Sequence, residues 1–285
     1  MRLHVIHTGF LKLDGGAMFG IVPRQIWEKL NPPDPQNRCT WALRCLLIET
    51  EERKILVDTG VGDKQDEKFR RHFEPHGDDN LLQSLAQLQL RPEDITDVFL
   101  THLHFDHCGG AVRRSTEGQL VPTFPRANYW TNAAHYQWAL QPNPREKASF
   151  LKENFVPLDD QGQLRFLPTL GAEWNSWVDG ISYRLVYGHT EAMMLLRIPL
   201  NAGYLIYCAD LLPSSYHLGQ PYIMAYDLRP LETLREKEVL LEETLAEGHV
   251  LFFEHDPQLE CARIARNERG RIVIAERLQL SDLAT

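Results

Sequence analysis

The sequence predicts an α/β fold built on two β-sheets with helices on their outer faces. Short apolar runs of strand length alternate with helical patterns, and strands dominate both the early and the late parts of the chain. No linker rich in Pro, Gly or Ser divides the 285 residues, so 1–285 reads as a single domain with ample length for a core.

The elements follow in order. Residues 3–6 and 42–48 read as strands, and Lys54-Ile55-Leu56-Val57 as a third that ends in Asp58-Thr59-Gly60. A helix starts at about Asn80, whose side chain suits the unpaired N–H groups of a first turn, with Leu81, Leu82, Leu85 and Leu88 on one face. Pro92 opens a short turn. Asp97-Val98-Phe99-Leu100-Thr101 is a buried strand that runs straight into a histidine cluster. Surface helices are expected over 132–140 and 145–154, separated by Pro142 and Pro144. Strands return at 182–187, 194–198 and 204–208. An amphipathic helix over 231–246 turns Leu234, Leu241 and Leu245 inward, and strands at 249–254 and, at the edge, 271–275 complete the pattern.

Composition removes several function classes. The formal charge of −9 repels polyanions, and the basic pairs Arg70-Arg71 and Arg113-Arg114 read as solvated surface, so no nucleic-acid partner is expected. No apolar run reaches membrane-spanning length, and Met1-Arg2-Leu3-His4-Val5 lacks the layout of a secretory signal; a cytoplasmic location without membrane attachment is the expectation. Five cysteines, with no CxxC pair, argue against a disulfide framework and a thiolate zinc cluster.

The chemistry concentrates in Thr101-His102-Leu103-His104-Phe105-Asp106-His107. Three of the twelve histidines fall within six residues, beside a carboxylate. Imidazole and carboxylate suit zinc and similar divalent ions, and the position just past a buried strand is where α/β sheets gather ligands. Three further ligand-type residues each follow an apolar run: His189 in Gly188-His189-Thr190, Asp210 after 204–208, and His255 after 249–254. Any one alone would more often be a cap or a surface group. Together they complete two sets: His189 with His102 and His104, His255 with Asp106 and His107, and Asp210 bridging. Seven ligands for two ions leave positions open for water, which favours catalysis over a closed structural site.

Asp58 is expected to accept a hydrogen bond from a ligand imidazole and so fix its tautomer. Gly109-Gly110 is expected to allow close backbone approach near the metals. Cys108 reads as structural. Met18, Phe19, Trp27, Tyr222, Met224 and Tyr226 suit either an apolar substrate pocket or ordinary core. His135, like the other lone histidines, receives no role.

Read together, His-x-His-x-Asp-His, Gly188-His189-Thr190, Ala209-Asp210, Glu254-His255-Asp256 and Val57-Asp58-Thr59-Gly60 resemble the metallo-β-lactamase superfamily from about residue 46 to 255. Asp14-Gly15-Gly16-Ala17-Met18-Phe19-Gly20-Ile21-Val22-Pro23 and Ile223-Met224-Ala225-Tyr226-Asp227 resemble its quorum-quenching N-acyl-homoserine lactonase-like branch. The resemblance implies a four-layer αββα sandwich and two divalent ions, zinc first, with manganese, cobalt or iron as alternatives. It implies opening of an ester-type bond in a small molecule, a lactone such as an N-acyl-homoserine lactone, by a hydroxide held between the ions, with Asp106 and Asp210 as catalytic carboxylates. The alternatives are an organophosphate triester, aryl ester, thioester or phosphodiester hydrolase, or a non-catalytic metal-stabilised binding protein. A homodimer through the aromatic N-terminal loop is compatible with the sequence. The sequence departs from the pattern at two places. Pro213 stands where such lactonases carry a Tyr three residues after the bridging Asp, leaving Tyr216, His217 or Tyr222 as substitutes. No second histidine follows Gly-His-Thr near Met193 or Met194 to support His189.

Overall fold

The computed structural model describes residues 1–283. Their contacts form two compact units, one of Met1–Gly9 with Leu43–Thr169, the other of Phe10–Ala42 with the chain from Leu170 onward. In chain order the strands and helices are β1 (Arg2–Asp14), α1 (Gly15–Phe19), α2 (Arg24–Trp27), β2 (Arg38–Glu49), β3 (Lys54–Val57), α3 (Glu67–Phe73), α4 (Leu81–Gln87), β4 (Asp97–Phe99), α5 (Phe105–Cys108), β5 (Val112–Arg114), β6 (Leu120–Pro122), β7 (Asn128–Asn132), α6 (Ala133–Leu140), α7 (Val156–Asp160) and β8 (Leu164–Leu167). They continue as β9 (Asn175–Ser176), β10 (Ser182–Val186), β11 (Met193–Pro199), β12 (Tyr204–Tyr207), α8 (Pro230–Glu247), β13 (Val250–Phe252), β14 (Cys261–Arg266) and β15 (Ile272–Leu278).

The first unit holds a sheet of order β1-β2-β3-β4-β7-β8, in which β3, β4, β7 and β8 run parallel to one another and β2 pairs antiparallel with β3. Parallel strands are covered on both faces, which is why Ile55-Leu56-Val57 and Val98-Phe99-Leu100 are unbroken apolar runs and fully buried. Because β3 and β4 run side by side in one direction, Asp58 and the segment 101–107 emerge together at their carboxyl ends. Leu81 and Leu85 of α4 join Leu56, Val98 and Leu103 in the core of this unit. The side chain of Asn80 caps α4 by accepting from the Gln83 N–H at 3.0 Å, and Asn132 caps α6 by accepting from His135 N–H at 2.9 Å.

The expected helix over 145–154 does not form. The chain makes turns there, then a single 3₁₀ turn at Lys152–Asn154. The cause is Glu146, which faces inward and not into solvent. Its Oε2 accepts from Trp138 Nε1 at 2.7 Å and from Asn143 Nδ2 at 2.8 Å, while Asn143 Oδ1 accepts from the N–H of Arg145 at 2.8 Å. The expectation also passed over β7, β8, α3 and the β5–β6 hairpin.

The second unit holds the sheet β15-β14-β13-β12-β11-β10-β9. Strands β10, β11 and β12 alternate in direction and β13 lies parallel to β12, so β10, β12 and β13 all point the same way. Residues 189, 210 and 255 therefore follow the same ends of three strands. The edge strand expected over 271–275 is β15, paired with the unforeseen β14.

The buried face of α8 consists of Thr233, Lys237, Leu240, Leu241 and Thr244; Leu234 and Leu245 are only half-buried, so the face is rotated from the expected one. The cause is Lys237, fully enclosed, whose Nζ donates to the carbonyls of His217 (3.1 Å), Gly219 (2.9 Å), Gln220 (3.1 Å) and Tyr222 (2.9 Å). Burial lowers its pKa to about 8, which keeps it charged at neutral pH. An ammonium thus fills the centre of the 217–222 turn.

All five cysteines are free and buried, and among the described residues no helix is long and apolar enough to cross a membrane. Replacing Lys237 with Met leaves the ring of carbonyls without a donor. The expected cost is about 3 kcal/mol or more, read as a lower urea midpoint at unchanged slope. An unchanged midpoint would show that the ammonium contributes nothing to the fold.

Candidate metal centre

In the first unit the segment after β4 is organised by Asp58, the first residue past β3. Asp58 is wholly buried and its backbone is left-handed, at φ 57°. Its Oδ1 accepts from Thr101 N at 2.8 Å, and its Oδ2 accepts from Thr101 Oγ1 at 2.8 Å and lies 3.1 Å from His107 Nδ1. These contacts set the protons. Thr101 Oγ1 gives its hydrogen to Asp58, so it accepts from His102 Nδ1 at 3.1 Å. His107 likewise donates Nδ1–H to Asp58. Both rings are left with an Nε2 lone pair. His107 Nε2 lies 3.9 Å from Asp106 Oδ2, and His102 Nε2 lies 3.1 Å from His104 Nδ1.

The loop carrying these groups is braced from behind. The N–H of Leu103 donates to His135 Nε2 at 2.8 Å, and Thr59 holds the His107 carbonyl with its backbone N–H (2.7 Å) and its hydroxyl (2.9 Å). A Cβ on Gly110 would meet the Thr59 carbonyl at 2.3 Å, and one on Gly109 the Val61 carbonyl at 2.1 Å, so only glycine permits this approach. Cys108 donates its thiol to the Leu103 carbonyl, and burial pushes that thiol up to about 12, which keeps it protonated.

In the second unit His189, Asp210 and His255 converge. Asp210 Oδ2 lies 3.1 Å from His189 Nε2, and Asp210 Oδ1 lies 3.2 Å from His255 Nε2. Each imidazole turns its other nitrogen outward: His189 Nδ1 to Asp227 Oδ1 at 2.8 Å, His255 Nδ1 to the Ala42 carbonyl at 2.8 Å. Asp210 is presented by Ala209, whose φ is 42°, a conformation rare for a side chain with a Cβ. Gly188, before His189, packs so closely on α8 that a Cβ would lie 2.3 Å from Thr233 N. The Pro213 carbonyl accepts the N–H of His255 at 2.9 Å, so the residue in the place of the lactonase Tyr serves the ligand strand through its backbone.

Each unit therefore carries a buried His/Asp cluster with ring lone pairs facing a carboxylate oxygen or a second ring nitrogen at 3.1–3.9 Å. Two donors on one tetrahedral zinc ion, each about 2.0–2.1 Å from it, stand roughly 3.3 Å apart. The donor chemistry and spacing within each cluster fit a divalent ion.

The residues expected to line substrate divide. Phe19 is fully buried, stacked between Trp27 (ring centroids 5.3 Å, 10° between planes) and His217 (5.3 Å, 4°). Met18 and Met224 are also buried, and the Met18 carbonyl accepts from His217 Nε2 at 2.9 Å. For Met18, Phe19, His217 and Met224 the pocket expectation gives way to core packing, since side chains so enclosed expose no wall. Tyr216 and Tyr222 are half-buried, and Tyr226 is exposed.

Two hydrogen-bond partners of the candidate ligands, Asp227 and the Ala42 carbonyl, were not foreseen, nor was His135, which braces the loop through Leu103. A signal existed for Asp227. The segments 14–23 and 223–227 had been joined only by their resemblance to one branch. They pack together, with Ala225 N–H donating to the Ala17 carbonyl at 2.7 Å, and the second segment ends in the carboxylate that holds His189. It fills the supporting role left open by the missing second histidine.

Residues 44–119 match the metallo-beta-lactamase superfamily. A probable metallo-hydrolase of Mycobacterium tuberculosis is 27% identical over 85% of this chain and 82% of its own length. An N-acyl homoserine lactonase of Bacillus cereus is 34% identical over 55% of this chain and 56% of its own. Among solved structures, a probable metal-dependent hydrolase from Staphylococcus aureus superposes with a TM-score of 0.85 at 25% identity, covering 98% of each chain. The dizinc quorum-quenching lactonase AidC, bound to its product, superposes with a TM-score of 0.77 at 20% identity, covering 97% of this chain and 95% of its own.

His217 yields a pH prediction. Ser214 Oγ and the Met18 carbonyl occupy its two nitrogens, and burial pushes its pKa down to about 4 from 6.5. Between those values the unfolded chain takes up a proton that the folded protein refuses. Stability present above pH 6.5 is therefore lost as pH falls toward 4, by up to about 3 kcal/mol. Urea unfolding across this range should show a shallower acid slope for His217→Gln than for the unaltered protein; parallel slopes would contradict the assignment.

Proposed function

The chain is a metal-dependent hydrolase of the metallo-β-lactamase superfamily, and on that premise we propose that it opens a lactone such as an N-acyl-homoserine lactone at a pair of divalent ions. In this reading the metal ligands are His102, His104, Asp106, His107, His189, Asp210 and His255. Zinc suits the nitrogen and oxygen donors. The observation that carries the proposal is the carboxylate of Asp210, each oxygen of which faces a different histidine, as a ligand shared between two ions requires.

Bound divalent ions would acidify a water and polarise the ester carbonyl. The protein's own groups have separate tasks. Asp58 and Asp227 hold their imidazoles in the tautomer that offers Nε2. Asp106, on the one-turn α5, would take a proton from the attacking water and pass it to the departing alkoxide. Phe105, between His104 and Asp106, packs with Phe69 (5.1 Å) and Phe73 (4.6 Å) of α3, an apolar wall beside the metal loop that suits a substrate with an acyl chain.

Pro213 favours a second reading. Without a phenol at that position, an aryl ester or a phosphotriester becomes a competing substrate. The test is a hydrolysis screen of acyl-homoserine lactones of several chain lengths beside aryl esters and phosphotriesters. Lactones are expected to give the highest kcat/KM; faster turnover of either other class would select the second reading. Asp210→Ala and His107→Ala should each lower kcat/KM on the order of 10³-fold, the loss of several kcal/mol of transition-state stabilisation. Near-normal turnover in either folded variant, with its metal counted, would refute the proposed centre.

A further inference from the structure

We propose that Glu146 is a positioning residue for the metal centre, holding the proton of His104 on Nε2 so that Nδ1 is the nitrogen offered to the ion. The inference rests on the metal centre proposed above and adds a residue that no sequence motif marks.

Glu146 is 3% exposed, within the turn that follows α6. A carboxylate so enclosed is costly unless its lone pairs are used. One oxygen, Oε2, is fixed by two donors, Trp138 Nε1–H and Asn143 Nδ2–H. That clamp orients the second oxygen, Oε1, which lies 3.7 Å from His104 Nε2. On the far side of the same ring, Nδ1 lies 3.1 Å from His102 Nε2. His104 also packs against Phe150 at 4.7 Å between ring centroids, which restrains the ring from turning over.

The other ligand histidines show the same division of labour. Each sets one nitrogen against an outer acceptor, Thr101, Asp58, Asp227 or the Ala42 carbonyl, and the other toward a neighbouring donor atom. His104 differs in which nitrogen does which: its Nε2 is the outer one. At 3.7 Å the Glu146 carboxylate acts on the Nε2 proton through its charge and not through a hydrogen bond as short as the other four; that charge favours the tautomer with the proton on Nε2, and outer carboxylates strengthen metal binding by an imidazole.

A purely structural acid would need only its bonds to Trp138 and Asn143. Glu146→Gln separates the roles. An amide oxygen can still accept from both donors, but the amide then presents N–H, not an acceptor, to His104 Nε2. The experiment measures affinity for Co²⁺ and Zn²⁺ by competition with a chromophoric chelator, the visible spectrum of the Co²⁺ protein, and the urea midpoint of the metal-free protein. The expected result for Glu146→Gln is a 10–100-fold loss of metal affinity and an altered Co²⁺ spectrum at an unchanged metal-free midpoint. Glu146→Asp should recover part of the affinity. His104→Ala is the reference. If His104→Ala weakens metal binding and Glu146→Gln leaves affinity and spectrum unchanged, the proposal for Glu146 is overturned. If His104→Ala itself leaves binding unchanged, the metal centre fails instead.

Discussion

The carboxylate of Asp58 is the constraint on which the His/Asp cluster of the first unit depends. It sits where two parallel strands end side by side, without exposure to solvent, and its lone pairs go to the backbone of Thr101, the hydroxyl of Thr101 and the imidazole of His107. A buried charge is tolerable only when it is so satisfied. The same residue is held in a left-handed backbone conformation that costs on the order of 1 kcal/mol or more for a non-glycine residue. Strain at that point turns the chain sharply at the sheet's edge and brings the side chain back over the end of β4. One residue thus fixes the start of the metal loop, the hydrogen position on Thr101, and through it the tautomers of His102 and His107.

The second unit solves the same problem by different means. Asp210 follows another left-handed residue, Ala209, so both acidic groups at these strand ends depend on local strain. His189 is braced by Asp227, which arrives from the loop before α8, and His255 by a backbone carbonyl and by Pro213. Lys237 then anchors the 217–222 turn from beneath. The helix α8 contributes no candidate ligand but holds the segment that carries His189, because Gly188 meets it at Thr233 and the N–H groups of Tyr187 and Gly188 donate to Glu236.

Much of this was legible in the sequence because ligands follow strands. A buried parallel strand writes itself as an uninterrupted apolar run, and the first polar residues after it mark its end; Asp58, His102, His189, Asp210 and His255 were all found by that rule. The capping side chain of Asn80 was legible for an equally local reason. What failed was anything decided by a single buried polar contact between distant segments. The inward face of α8 was misplaced because Lys237 reads as a solvent residue until four carbonyls surround it. The helix expected over 145–154 failed because Glu146 reads as surface charge until Trp138 and Asn143 are seen to hold it. Phe19 reads equally well as a pocket or a core residue, and only its stacking on Trp27 and His217 distinguishes the two.

The outer partners also differ in kind, and this bears on how the ligands would share a charge. His107 and His189 are backed by carboxylates, His102 by a hydroxyl and His255 by a peptide carbonyl. A carboxylate draws the ring proton more strongly than a neutral acceptor and leaves the opposite nitrogen more basic. In the second unit the contrast falls on a single pair: Asp210 faces the carboxylate-backed His189 on one oxygen and the carbonyl-backed His255 on the other. Its two oxygens therefore meet unequal neighbours. A carboxylate between unequal partners is electrostatically asymmetric along its own axis.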